Sequence, residues 1–172
     1  MKKRTYLLIY FFMASGVHFA LGQQKDYSAD VSSKESIVKA LYEVISGTPD
    51  QPRDWARFRN LFLPEARLIP TGKSKEGIFT IRTITPEEYI QSFTKNIKTG
   101  FFETELYQTA EEYGTIAHVF STYETREIAN GPVTNRGINS IQLYKDTNRY
   151  YVVNIFWCAE SMGFVLPEKY LK

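Results

Sequence analysis

The chain has 172 residues, 43% of them hydrophobic and 15% aromatic, which fits one domain with a sizeable core and excludes an intrinsically disordered segment. Its formal charge is +2, but Lys2, Lys3 and Arg4 precede an N-terminal apolar run; without them 21 − 3 = 18 basic residues stand against 19 acidic ones, and nucleic-acid binding loses its electrostatic footing. Cys158 is the only cysteine, which excludes an internal disulfide, and a single histidine beyond the apolar run, His118, excludes a histidine-based metal site.

In chain order, residues 1–22 read as a secretory signal, with basic residues at the start, an apolar run broken by Ser15, Gly16 and His18, and small residues at Ala20 and Gly22 where a signal peptidase cuts. The expected mature start is Gln23, the expected location periplasmic or secreted, and no membrane association is expected once the signal is removed; an uncleaved anchor is the alternative. A polar leader, 23–32, precedes one domain, 33–172. Ser32 and Glu35 have capping-box spacing, and Ile37, Leu41, Val44 and Ile45 then share one helical face up to Gly47. After the Thr48 to Pro52 turn a second helix is expected to carry Trp55, Phe58, Leu61 and Phe62 until Pro64 ends it. Short strands are expected at 66–70 and 78–84. Thr85, Pro86 and Glu88 spell another helix start, and Tyr89, Ile90, Phe93 and Ile97 give this third helix its apolar side, closed by Gly100.

A long strand at 101–110, a turn at 111–114, and three β-branched and aromatic runs within 115–159 follow. The runs are divided by the turn signals Asn130-Gly131-Pro132 and Asp146-Thr147-Asn148. The runs form an antiparallel meander too apolar to stand without the helices. Alternation puts Ala117, Val119, Ser121, Tyr123 and Thr125 on one face and His118, Phe120, Thr122, Glu124 and Arg126 on the other. The small and tyrosine face is assigned inward, which places His118 outside.

The order helix, helix, short strand pair, helix, four long strands resembles the nuclear transport factor 2-like superfamily over roughly residues 33–160. The segments Arg53 to Phe58 with Leu61-Phe62 and Ala66-Arg67-Leu68 are similar to the second-helix region of bacterial members. Val119 to Glu124 and Gly137 to Leu143 are similar to strand motifs of a SnoaL-like, lumazine-binding-like subgroup. The chain departs from that subgroup at Asn135-Arg136, where His-Cys is common, and at Trp157-Cys158-Ala159, where Asp-Thr-Arg is common. The resemblance implies an α+β, cone-shaped fold: three helices from the N-terminal half packed on a curved, mostly antiparallel sheet, a cavity between them, and dimerisation through the outer sheet face.

Function in such a cone is argued from its lining. Trp55, Phe58, Tyr89, Phe93 and Trp157 would form an aromatic wall, with Tyr123, Asn139 and Asn154 supplying polar contacts. Asp54, Tyr123 and Glu160 are the candidate catalytic residues, Asp54 or Glu160 as the proton carrier and Tyr123 as hydrogen-bond donor to an oxyanion. Against these stand plain roles: Asp54 as a helix-start aspartate, Glu160 as the partner of Arg57 or Arg59, and Tyr123 as a core residue bonded to the backbone. The expectation is a homodimeric domain that binds a small apolar or aromatic molecule and needs no cofactor or metal. A cofactor-free dehydratase, isomerase or cyclase is the first alternative, and a non-catalytic dimeric interaction module the second.

Overall fold

A computed structural model describes residues 25–172; the expected signal and the first two leader residues lie outside the described residues. Three α-helices, α1 (Lys34–Ile45), α2 (Trp55–Asn60) and α3 (Pro86–Asn96), precede most of a six-stranded sheet. Its strands are β1 (Phe62–Lys73), β2 (Phe79–Ile81), β3 (Phe102–Tyr113), β4 (Ile116–Arg126), β5 (Val133–Lys145) and β6 (Tyr150–Ala159). The strand order is β2-β1-β6-β5-β4-β3, antiparallel throughout except where β1 runs parallel to β6. The α+β architecture, with three helices on a curved and mostly antiparallel sheet, is the one expected.

Several boundaries differ from expectation, each for a local reason. The capping box of α1 joins Ser33 to Ser36 instead of Ser32 to Glu35. Ser32 is already engaged, since it follows a 3-10 turn over Ser28–Val31 and its hydroxyl donates to the Ala29 carbonyl at 3.0 Å. Helix α2 stops at Asn60, short of Pro64. Proline disfavours helical geometry in the residue before it, so the chain is extended by Phe62, and Val152 N–H bonds Leu61 O at 2.8 Å. Pro64 therefore sits inside β1, where the register on β6 slips between Phe62 and Arg67 and leaves the missing donor unpaired. The β3 to β4 turn contracts to Gly114 and Thr115, with Gly114 at φ +58. The capping box of α3 forms as read, from Thr85 and Glu88.

Helix α1 is buried on nearly all sides. Besides the expected Ile37, Leu41, Val44 and Ile45, the residues Val38, Ala40 and Tyr42 are inside, because α1 lies within the concave sheet and touches β3 and β6 as well as α2. Its last carbonyls are capped by Arg53, whose Nε donates to Ile45 O at 2.7 Å and whose Nη2 donates to Gly47 O at 2.8 Å. The inward face of β4 is the one alternation assigned: Ala117, Val119, Ser121, Tyr123 and Thr125 are all buried. Outward lie His118, bonded through Nε2 to Ser140 Oγ at 2.9 Å, and Phe120, whose ring meets Tyr170 of the C-terminal arm at 5.1 Å.

Candidate functional site

The helices leave part of the concave sheet uncovered, and a cavity of about 470 Å³ remains between them. That is within the range of small-molecule sites. Leu41, Tyr42 and Ile45 of α1, Phe58 of α2, and Tyr89, Ser92 and Phe93 of α3 form one side. Glu103, Tyr123, Thr125, Asn139, Ile141, Ile155 and Trp157 form the sheet side, and the exposed lining residues Asn96, Thr99, Glu127 and Thr134 mark the mouth. Phe58 and Tyr89 stack at 5.4 Å, and Phe93 meets Phe101 edge-on at 5.2 Å, so the aromatic wall is braced by its own contacts.

Of the two carboxyls in this lining, Glu127 is exposed at the mouth and Glu103 is half-buried in the wall. Glu103 is the second residue of β3, and its face is fixed by register, since it pairs with Thr125 of β4 while Glu105 pairs with Tyr123. Its backbone is tied to the end of α1: Ser46 Oγ accepts from Glu103 N–H at 2.9 Å while donating to Tyr42 O at 2.7 Å. The residue is half-buried and borders the cavity space. Burial pushes its carboxyl up to about 7, and the only opposing influence is the Thr125 hydroxyl, which donates to Oε2 at 3.1 Å. No Lys, Arg or His among the described residues forms an ion pair with it.

The tyrosines around Glu103 differ in what they hold. Tyr42 belongs to a chain in which Asn139 Nδ2 donates to Tyr42 Oη at 3.0 Å, Tyr42 meets Ser121 Oγ at 2.7 Å, and Ser121 donates to Glu105. Glu105 is also raised by burial. The Tyr89 and Tyr123 hydroxyls are raised by burial first and by Glu103 second, and no protein group among the described residues hydrogen-bonds either. Tyr123 lies against Gly137, where an added Cβ would stand 2.5 Å from its hydroxyl oxygen and 2.5 Å from the Cys158 carbonyl. Only glycine leaves room for that ring.

No protein-family model matches the sequence. No curated protein matches it either. Solved structures do. A protein of unknown function with a cystatin-like fold from Nostoc punctiforme superposes with a TM-score of 0.55 at 12% identity, covering 73% of this chain and 86% of its own. The association domain of C. elegans CaMKII gives a TM-score of 0.50 at 17% identity over 70% of this chain and 88% of that one. An NTF2-like protein from Cytophaga hutchinsonii gives 0.52 at 13% identity, over 74% of this chain and 98% of that one. The fold is nuclear transport factor 2-like.

Within this nuclear transport factor 2-like cone the residues singled out in the sequence fall into separate places. Phe58, Tyr89, Phe93, Tyr123, Asn139 and Trp157 line the cavity. Trp55 stands behind the wall, edge-on to Phe93 at 5.6 Å and to Phe58 at 5.7 Å. Asn154 is on the outer face, where its Nδ2 donates to Gln142 Oε1 at 2.7 Å. The reason is a slip in the β5 to β6 register between Gln142 and Leu143, which turns Ile155 inward in its place.

Asp54 and Glu160 are both outside the cavity lining. Asp54 caps α2: its Oδ1 accepts from Arg57 N–H at 3.0 Å, and Lys25 Nζ and Tyr27 Oη donate to the same carboxylate at 2.8 and 3.0 Å. The Lys25 hydrogen bond, followed by that of the Arg57 backbone, holds it down to about 2. A carboxylate so stabilised is a poor base at neutral pH. Replacing Asp54 by alanine should cost about 1 kcal/mol, the ordinary loss for a helix cap. Urea unfolding of D54A checks this, and an unchanged midpoint would contradict the capping role. Glu160 forms a two-pronged pair with Arg136, at 2.9 and 3.2 Å, not with Arg57 or Arg59. Arg57 instead holds Asp30 and Glu43, and Arg59 holds Glu87.

Glu103 escaped the sequence reading. The signal was present as two glutamates at i and i+2 in a predicted strand, which places them on one face. Which face, however, depends on the pairing with β4, and the sequence does not state a register.

Proposed function

We propose that the protein binds a small, mainly apolar or aromatic molecule in the cone, its polar end held by Glu103, Tyr89 and Tyr123. The observation that carries this reading is the aromatic-walled cavity lined by one half-buried carboxyl and by two tyrosines whose hydroxyls have no partner among the described residues. These polar atoms are not sealed off, so a ligand group that enters the cavity can complete their hydrogen bonding.

A neutral environment-sensitive fluorophore, N-phenyl-1-naphthylamine, tests it. Titration into the purified protein should give saturable enhancement with one site per chain. Ser92→Trp, which projects a large ring from α3 into the cavity, should weaken that binding at least tenfold. Binding that ignores the Ser92 substitution, or never saturates, would place the probe elsewhere and remove support for the cavity.

A second reading is favoured by the Glu103 carboxyl lying near neutrality, where an acid or base transfers protons best. It is cofactor-free isomerase or lyase chemistry in which Glu103 moves a proton and Tyr123 donates to the developing oxyanion. In that reading Glu103 takes the role the sequence suggested for Asp54 or Glu160. The test is protein-dependent uptake of solvent deuterium next to the carbonyl of an aryl ketone, followed by NMR, which Glu103→Gln should abolish. Self-association fits a fold shared with a domain named for association. Action in the periplasm or outside the cell belongs to the proposal through the N-terminal sequence alone.

A further inference from the structure

We infer that the cone takes ligands that carry a protonated amine on an apolar or aromatic body, an inference that rests on the small-molecule reading of the same cavity. Three observations converge on it. The first is charge. Glu103 is a half-buried carboxyl in the wall, and among the described residues it has a single neutral donor, Thr125, and no cationic partner. A buried carboxylate needs a counter-charge to ionise, and a ligand ammonium supplies one.

The second is the acceptor set. An ammonium has three donors and no acceptor, so each proton needs an oxygen. Glu103, Tyr89 and Tyr123 line one cavity, and neither tyrosine hydroxyl has a partner among the described residues. The third is the wall itself. Phe58, Tyr89, Phe93, Phe101, Tyr123 and Trp157 present aromatic rings to the same space, and the negative faces of such rings attract cations. Arg126, a cation in the lining, is committed elsewhere: its Nε donates to Glu124 Oε1 at 3.1 Å, and Nη1 bonds the Gly131 carbonyl.

The charged and titratable groups facing Glu103 are few. Tyr42 approaches from α1, Tyr89 from α3 and Tyr123 from β4, and burial keeps all three phenols neutral through the physiological range. Glu105, two residues along β3, is engaged by the Ser121 hydroxyl. Opposite pH trends therefore follow for two ligand types. An ammonium gains affinity as Glu103 ionises, whereas a neutral hydrogen-bond acceptor needs the protonated acid and loses affinity over the same range.

Naphthylmethylamine and naphthylmethanol, alike in shape and different in charge, distinguish the cases by calorimetric titration at about pH 6 and about pH 8. The amine stays protonated at both. Its affinity should rise about tenfold from the lower to the higher pH, the factor set by a group titrating midway. It should exceed that of the alcohol at the higher pH, and Glu103→Gln should remove the excess while the alcohol still binds. Equal affinity for the two probes, an amine preference that survives Glu103→Gln, or a flat pH profile in the native protein would overturn the amine assignment and leave the cavity reading standing. Failure of both probes to bind would remove the cavity reading and this inference with it.

Discussion

Glu103→Gln is expected to stabilise the protein in alkaline solution and to leave it nearly unchanged in acid. The carboxyl is raised from 4.5 to about 7 by burial, so the folded state holds a proton that the unfolded state has released. Below the unfolded value both states are protonated and no difference arises. As pH climbs from there, stability falls, and the loss is complete once pH passes the folded value of about 7. At 1.36 kcal/mol per unit, the native residue costs up to about 3 kcal/mol on the alkaline side. Glutamine keeps the shape and can still bond Thr125, but it has no charge to bury. Urea unfolding at about pH 4 and about pH 8.5 should therefore show a gap that opens only at the higher pH, worth roughly 4–8 °C in melting temperature if two-thirds of the cost is recovered. Equal gaps at the two values, or a variant less stable than the native chain at the higher one, would mean that Glu103 is solvated or charge-paired.

Phe58→Ala should be the most damaging single truncation at the site. The ring is 2% exposed and lies 4.7 Å from Phe62, 5.4 Å from Tyr89 and 5.7 Å from Trp55, so it joins α2 to β1 and α3. Emptying such a position costs about 3–5 kcal/mol, from lost transfer energy and from the void. Phe58→Leu, which keeps much of the volume, should lose less than half of that. Equilibrium unfolding with an unchanged denaturant slope would assign the loss to the folded state. A loss for Phe58→Ala below about 1 kcal/mol would show that the surrounding aromatics collapse into the space, and the cavity wall would then be softer than its contacts suggest.

The two substitutions touch opposite aspects of one design. Phe58 belongs to the same cavity wall as Glu103, whose carboxyl is raised by its burial there. The functional group is thus held in an unfavourable state by the residues that stabilise the fold around it. Sites that bind or transfer protons commonly carry such a conflict.

The α+β cone was legible in the chain because its signals are local. Alternation marked which residues of β4 face inward, the Asn130-Gly131-Pro132 and Asp146-Thr147-Asn148 turns divided the strands, and Thr85 with Glu88 started α3; each depends on neighbours within a few residues. Much of the aromatic wall was legible for the same reason, since large apolar side chains on a helix stripe or an inward strand face must go inside. Tertiary structure decided the rest. The slip between Gln142 and Leu143 sent Asn154 outward, the 3-10 turn ending at Val31 moved the cap of α1 to Ser33, and Lys25 and Tyr27 made Asp54 part of the scaffold. Above all, the pairing of Glu103 with Thr125 carried an acid into the cone. Register and desolvation depend on residues far apart in the chain, and a side chain acquires an unusual proton affinity only after those distant parts have closed around it.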